Sequence, residues 1–186
     1  MSRIVTNIFA SVDGIVDADS DWQFPYFDEE LFGWVGAAWE RASTVLMGRP
    51  SFEGYEQLRV EHPDSPALAF LDATPTYVVS RTMTEPPREG VEIIRDDAER
   101  RIRALREDAP GDLLLMGSAG LMRWLLERGL IDELNVMVLP IVVGAGTRLL
   151  DGDTEMRTAL RLERSRPLTS GAIELLYTPA APSQAV

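Results

Sequence analysis

The order of elements constrains this chain most. Through its first two-thirds, short apolar runs alternate with stretches of helical period; after that, strands follow one another with no helix between them. Residues 3–10 are apolar and β-branched and end at Asp13-Gly14, which predicts a buried strand running into a turn. Residues 17–28 are polar and acidic, which predicts a long loop. From Asp28 to Ala42, apolar residues fall at Leu31, Phe32, Val35, Ala38, Trp39 and Ala42, the 3.6-residue period of an amphipathic helix. Further strands are expected at 43–47, 76–80, 91–94 and 112–116. Helices are expected to start near Pro50-Ser51, to run from Ala98 to Ala109, and to carry Leu121, Met122, Leu125 and Leu126 before a closing Gly129. Residues 59–75 predict a Pro-containing connection. Leu134, Val136 and Val138 then alternate with polar neighbours. Leu160 and Leu162, with Ile173, Leu175 and Tyr177, predict a hairpin around Ser170-Gly171.

Alternation of this kind calls for a three-layer α/β/α arrangement, with helices on both faces of a mostly parallel, twisted sheet. The strand-only tail should add antiparallel edge strands. A length of 186 residues suits one domain, expected over 1–178, with 179–186 as a flexible tail.

Composition removes several classes of function. Eighteen basic against thirty acidic residues leave a net charge of −12, which argues against a nucleic-acid binder and against a polybasic membrane surface. With no cysteine and a single histidine, His62 in a polar Pro-flanked connection, neither thiolate nor multi-imidazole metal sites are expected. Every basic residue is Arg, so Schiff-base lysines and the P-loop lysine are excluded too. No apolar run approaches the roughly 18 residues of a membrane span and no signal-like start is present, so a cytoplasmic location is expected.

Open α/β sheets bind ligands outside the carboxyl ends of their parallel strands. Three such ends here carry small or polar residues: Met47-Gly48-Arg49-Pro50-Ser51, Val79-Ser80-Arg81-Thr82 and Met116-Gly117-Ser118-Ala119-Gly120. Amides at a helix start stabilise a phosphate, glycine lets it approach the backbone, and Arg49 and Arg81 add positive charge to an acidic chain. Each glycine alone is equally explained as steric relief in a tight turn, and the third segment is not a G-x-G-x-x-G fingerprint. Spacing alone therefore reaches a binder of anionic small molecules, a nucleotide being one such ligand.

Several segments, in order, resemble the dihydrofolate-reductase-like superfamily. They are Ser11-Val12-Asp13-Gly14, Val45 to Glu53, Val78-Val79-Ser80-Arg81, Leu115 to Leu121, Gly129 to Leu134, and Pro140 to Gly146. They are most similar to the C-terminal reductase domain of the bifunctional deaminase-reductase of riboflavin biosynthesis and its stand-alone relatives. That resemblance implies NADPH-dependent reduction of a small heterocyclic substrate, as in 5-amino-6-(5-phosphoribosylamino)uracil reduction, and a homodimer. It places Gly48, Arg49 and Ser51 near the coenzyme phosphates, and Ser80 and Arg81 near the adenosine end. Gly117, Ser118, Ala119, Gly120 and Leu121 would cradle the pyrophosphate, and Val16 would face the nicotinamide. Two carboxylates are candidates for handling the proton: Asp13, otherwise a turn former, and Asp28, with Glu29 and Glu30 as competitors and helix N-terminal charge as the other explanation. Trp22 would wall the substrate pocket or anchor its loop, and Arg148 is the candidate for a substrate phosphate. Alternative readings are a coenzyme-binding relative with little turnover, a pterin or folate reductase, and a purely structural module that binds no nucleotide.

Overall fold

In the computed structural model, residues 2–16, 21–86, 88–150 and 157–180 are described. The first strand, β1 (Ile4–Ser11), is buried along most of its length and becomes the middle of the sheet. A short 3₁₀ turn over residues 21–26 leads into α1 (Glu29–Arg41). Asp28 caps that helix, its Oδ1 accepting the Leu31 N–H at 2.9 Å, and Glu29 and Glu30 oppose the helix dipole. Such a cap contributes about 1 kcal/mol. Leu31 and Trp34 are buried beneath the helix, and each stabilises it by about 1.5–3 kcal/mol through apolar area removed from water.

Strand β2 (Ala42–Gly48) then runs directly into α2 (Arg49–Glu61). A third helix, α3 (Pro66–Ala73), lies where a connection over 59–75 was expected. Pro66 is the reason: at the first helical position proline loses no needed N–H and its fixed φ suits the turn, so it starts a helix there. Leu68 and Leu71 then bury one face. Strands β3 (Thr76–Val79) and β4 (Val91–Ile94), helix α4 (Ala98–Asp108), β5 (Asp112–Met116) and α5 (Ala119–Glu127) follow. Gly129, at φ +62°, takes the left-handed turn after α5. The chain ends with β6 (Glu133–Leu139), β7 (Leu160–Pro167) and β8 (Ile173–Pro179).

These strands form one eight-stranded sheet in the order β4-β3-β2-β5-β1-β6-β8-β7. Strands β1 to β6 are parallel, and only β8 and β7 are antiparallel. The strand-only tail thus begins with a parallel strand, because β6 enters from α5 and pairs with β1. Pro179, expected at the start of the loose tail, pairs with Leu160 inside the hairpin, and residues 181–186 lie outside the described residues.

Alternate residues of β1 serve two layers. Ile4, Ile8 and Ala10 join the core beneath α4 and α5, whereas Val5 and Phe9 face α1, α2 and α3. Helices on both faces leave only the two ends of the parallel strands open to solvent and ligand. No helix among the described residues is long and apolar enough to cross a membrane.

Candidate functional site

Because β1 to β6 are parallel, the loops that leave their carboxyl ends share one edge of the sheet. Strands β2 and β5 are neighbours, so α2 and α5 start side by side. Ser118 joins the two starts: its hydroxyl accepts the Gly48 N–H at 2.6 Å and donates to the Ser51 hydroxyl at 2.9 Å. Ser118 itself holds φ +60°, which costs a non-glycine residue roughly 1–2 kcal/mol. Neither helix start is capped by a side chain. The first-turn amides of α5, from Ala119 to Leu121, are thus left without a side-chain cap, with Ala119 and Leu121 buried and Gly120 exposed.

Glycine is required at two points. A Cβ on Gly48 would lie 2.5 Å from Ser118 Oγ, and one on Gly117 (φ +73°) would lie 2.8 Å from Ser51 Oγ. At Gly120, by contrast, an added Cβ would meet open space, so the surface above the α5 start is free. Ala119 and Leu121 turn their side chains into the core and can offer a ligand only their amides.

The β3 side of the edge divides its polar groups between structure and solvent. Ser80 is buried, and its hydroxyl accepts from Thr82 N–H at 3.3 Å and Met83 N–H at 3.0 Å, so it shapes its own loop. Arg49 pairs with Glu53 at 2.7 Å and donates to Thr82 Oγ1 at 2.8 Å, tying the α2 start to that loop. Arg81 is exposed and makes no hydrogen bond or ion pair among the described residues. Of the arginines expected at this edge, Arg81 is the one whose guanidinium is uncommitted.

On the β1 side, Asp13 is fully engaged. Its Oδ1 accepts from the Ser11 hydroxyl at 2.7 Å and the Val143 N–H at 3.0 Å, and its Oδ2 accepts from the Gly144 N–H at 2.8 Å. These donors, the Ser11 hydroxyl foremost, hold its carboxyl at about 2 instead of 3.8. At neutral pH the group is ionised and acts here as an acceptor. Arg148 donates to the Asp13 carbonyl at 2.8 Å, and its residue bridges to Ile15. Val16 packs against the core under α5.

Asp28 is occupied as the α1 cap, and Glu30 accepts the Thr169 N–H at 2.7 Å, which lowers its carboxyl pKa. Trp22 packs against the cluster that contains Leu31, Trp34, Met137 and Leu139. Aromatic rings climb from that cluster to the surface. Phe9 and Phe27 lie 5.3 Å apart, Phe27 and Phe32 5.4 Å, and Phe27 and Phe24 6.3 Å. Sequence reasoning missed the union of the loops after β1 and β6. Its signals were the Asp13-Gly14 pair and Gly144, whose φ of +87° turns its N–H toward Asp13.

Uncapped amides, the Ser51 hydroxyl, open space over Gly120 and a free guanidinium make a donor set suited to a polyanion, and they fit the phosphates of a dinucleotide coenzyme. Among the described residues there is no group of three or more His, Asp or Glu side chains able to hold a metal ion.

Comparison with known proteins agrees with this architecture. The uncharacterized protein YyaP of Bacillus subtilis (strain 168) is 26% identical over 182 residues, 94% of each chain. A Shewanella sp. PV-4 protein named for riboflavin biosynthesis superposes with a TM-score of 0.78 at 23% identity, covering 97% of this chain and 100% of its own. Acinetobacter baumannii RibD superposes with a TM-score of 0.68 at 16% identity, with 97% of this chain matched to 58% of that one. These structures share the dihydrofolate-reductase-like fold, a mostly parallel sheet with antiparallel strands at its C-terminal edge. The RibD C-terminal domain profile matches residues 2–173, and the chain belongs to that family.

Proposed function

We propose that this chain is an NADPH-dependent reductase of a small heterocyclic substrate, of the type that reduces a ribosylamino-pyrimidine in riboflavin biosynthesis. One observation carries the reading: two helix starts without side-chain caps, α2 and α5, stand side by side at the carboxyl edge, bridged by Ser118. Membership of the RibD C-terminal domain family supports it.

In this reading the α5 amides from Ala119 to Leu121 hold the pyrophosphate over the open surface at Gly120, while Gly117 and Gly48 let Ser51 and Ser118 pack beneath it. Ser51 adds a hydroxyl donor, which Ser118 orients by donating to its oxygen. Arg81 takes the 2′-phosphate that distinguishes NADPH from NADH, while Arg49 and Ser80 keep the loop carrying Arg81 in place. When bound, the coenzyme supplies a hydride; the chain's own part is to orient the ring and exclude water. Val16 faces that ring. Trp22 and Phe27 hold the loop that walls the substrate side, and Arg148 is left to meet a substrate phosphate. A second copy would cover the apolar face of the hairpin, where Leu162 and Ile173 are exposed, making a cytoplasmic homodimer.

The test is direct. NADPH and NADH are titrated against the fluorescence of the four tryptophans, and coenzyme oxidation is then followed with phosphoribosylamino-pyrimidine, pterin and folate acceptors. NADPH is expected to bind with a Kd in the micromolar range and more tightly than NADH. Failure of both to bind removes the reading; binding without oxidation by any acceptor reduces it to coenzyme binding alone.

A further inference from the structure

The Asp13 carboxylate is the centre of a larger seam. Val12 N–H donates to the Ile141 carbonyl at 2.8 Å, Val16 N–H to Thr147 at 2.9 Å, and Leu149 N–H to Gly14 at 2.8 Å. Ser11 turns the strand end inward, its Oγ accepting the Ile15 N–H at 2.9 Å while its hydroxyl donates to Asp13. The loop after β1 and the loop after β6 thus run as one paired unit. Two successive amides of the second loop, Val143 and Gly144, close on the two oxygens of a single side chain of the first. Charge-assisted bonds of this kind are about twice as strong as neutral ones, and they fix direction as well as distance.

We propose that Asp13 is a positioning residue: its carboxylate clamps the loop after β1 onto the loop after β6 and so holds Val16 where the coenzyme ring must sit. The inference rests on the proposed function only for the identity of what Val16 meets. No other residue type does the same work. Asparagine has one acceptor oxygen, and its amide hydrogens would confront a backbone N–H. Glutamate adds a methylene that pushes the oxygens past both amides.

The test compares wild type with Asp13→Asn by amide hydrogen exchange without coenzyme and by steady-state kinetics with it. Exchange at Val143 and Gly144 should speed up roughly tenfold, while amides inside β1 and β5 stay as they are. The kcat should fall between about tenfold and a hundredfold, as misplacement of a reacting group by about 1 Å would cause. The KM for NADPH should stay within about threefold, since the phosphate cradle is untouched, and the shape of the pH profile should not change. A kcat that is unchanged despite loosened amides, or amides that do not loosen, overturns the clamp. Loss of an ionisation from the pH profile overturns it as well, because it would make Asp13 a proton-transfer group. Should Asp13→Asn fail to fold, Ser11→Ala removes two side-chain bonds of the same seam, to Asp13 and from the Ile15 N–H, and should lower kcat by about threefold in the same pattern; an unchanged kcat there rejects the proposal. If the wild type binds no NADPH, the functional reading falls, and the exchange comparison still decides whether Asp13 holds the two loops.

Discussion

At the amino edge of the parallel strands, Asp112 accepts from Arg3 at 3.0 Å and from Arg41 at 2.7 Å. Arg41 also reaches Glu133 at 2.9 Å, and Arg106 reaches Asp132 at 2.6 Å. Asp132 turns its other oxygen to the Ile4 N–H. Here each charge has an opposite charge beside it. At the carboxyl edge the β1 and β6 loops are likewise closed, through Asp13, but the neighbouring α2 and α5 starts stand without side-chain caps, and Arg81, after β3, has no partner among the described residues. Both edges are polar; among the described residues, the carboxyl edge keeps the uncapped helix starts and the unpaired Arg81. Unspent donors on a folded scaffold carry the free energy of ligand binding, whereas a closed ion-pair network only holds the scaffold together.

That contrast can be broken most sharply at Gly117. Gly117→Val places a branched side chain at φ +73° against Ser51, and NADPH affinity should fall by at least roughly a hundredfold in a fluorescence titration. Affinity that survives would put the pyrophosphate elsewhere. The opposite edge should respond in stability alone. Asp112→Asn, in a largely buried acceptor of two half-exposed guanidinium groups, should lower unfolding free energy by about 1–3 kcal/mol in urea, leaving coenzyme affinity within about twofold. Parallel losses of both would mean the edges are coupled.

Arg81→Ala refines the open edge: NADPH should weaken by about tenfold and NADH hardly at all, and equal losses would deny Arg81 the 2′-phosphate. The smallest effect concerns the closed half of that edge and its acid limit. Asp13 is more acidic in the fold, at about 2, than its ordinary 3.8, so its contribution is present above the ordinary carboxylate range and is lost only as pH falls through about 2. The Val143 and Gly144 amide shifts should therefore be flat from neutral pH to about 4 and move only below it; a midpoint near 4 would mean the clamp is not formed in solution.

Much of this architecture could be read before any coordinates. The run from Asp28 to Ala42 carries its own period, cap and first-turn charge, and such local signals act within a few residues of one another. The three small-residue strand ends were legible for the same reason. Helix α3 was not, because Pro66 marks a break when read locally and a helix start once Leu68 and Leu71 have a core to enter. The parallel pairing of β6 with β1 was also hidden, since period-two alternation is the same in either direction.

For the site, residue type was visible but availability was not. Arg49 and Arg81 look alike as letters; contact with Glu53 and Thr82 commits one, and the other has no such neighbour. Asp13 and Asp28 looked like candidates to move a proton; in the fold Asp13 holds two backbone N–H groups and Asp28 caps α1 through the Leu31 N–H.

The chain by itself determined its alternation of elements, its lack of thiol, lysine and multi-imidazole chemistry, and the glycines and hydroxyls waiting at strand ends. Those follow from composition and from interactions that span a helical turn or a tight loop. Only the tertiary structure decided which carboxylates are spent, which guanidinium is free, and that residues 13 and 143, or 48 and 118, touch at all. Contacts between residues so far apart in the chain exist only once the sheet has set its strand order, and no local pattern encodes that order.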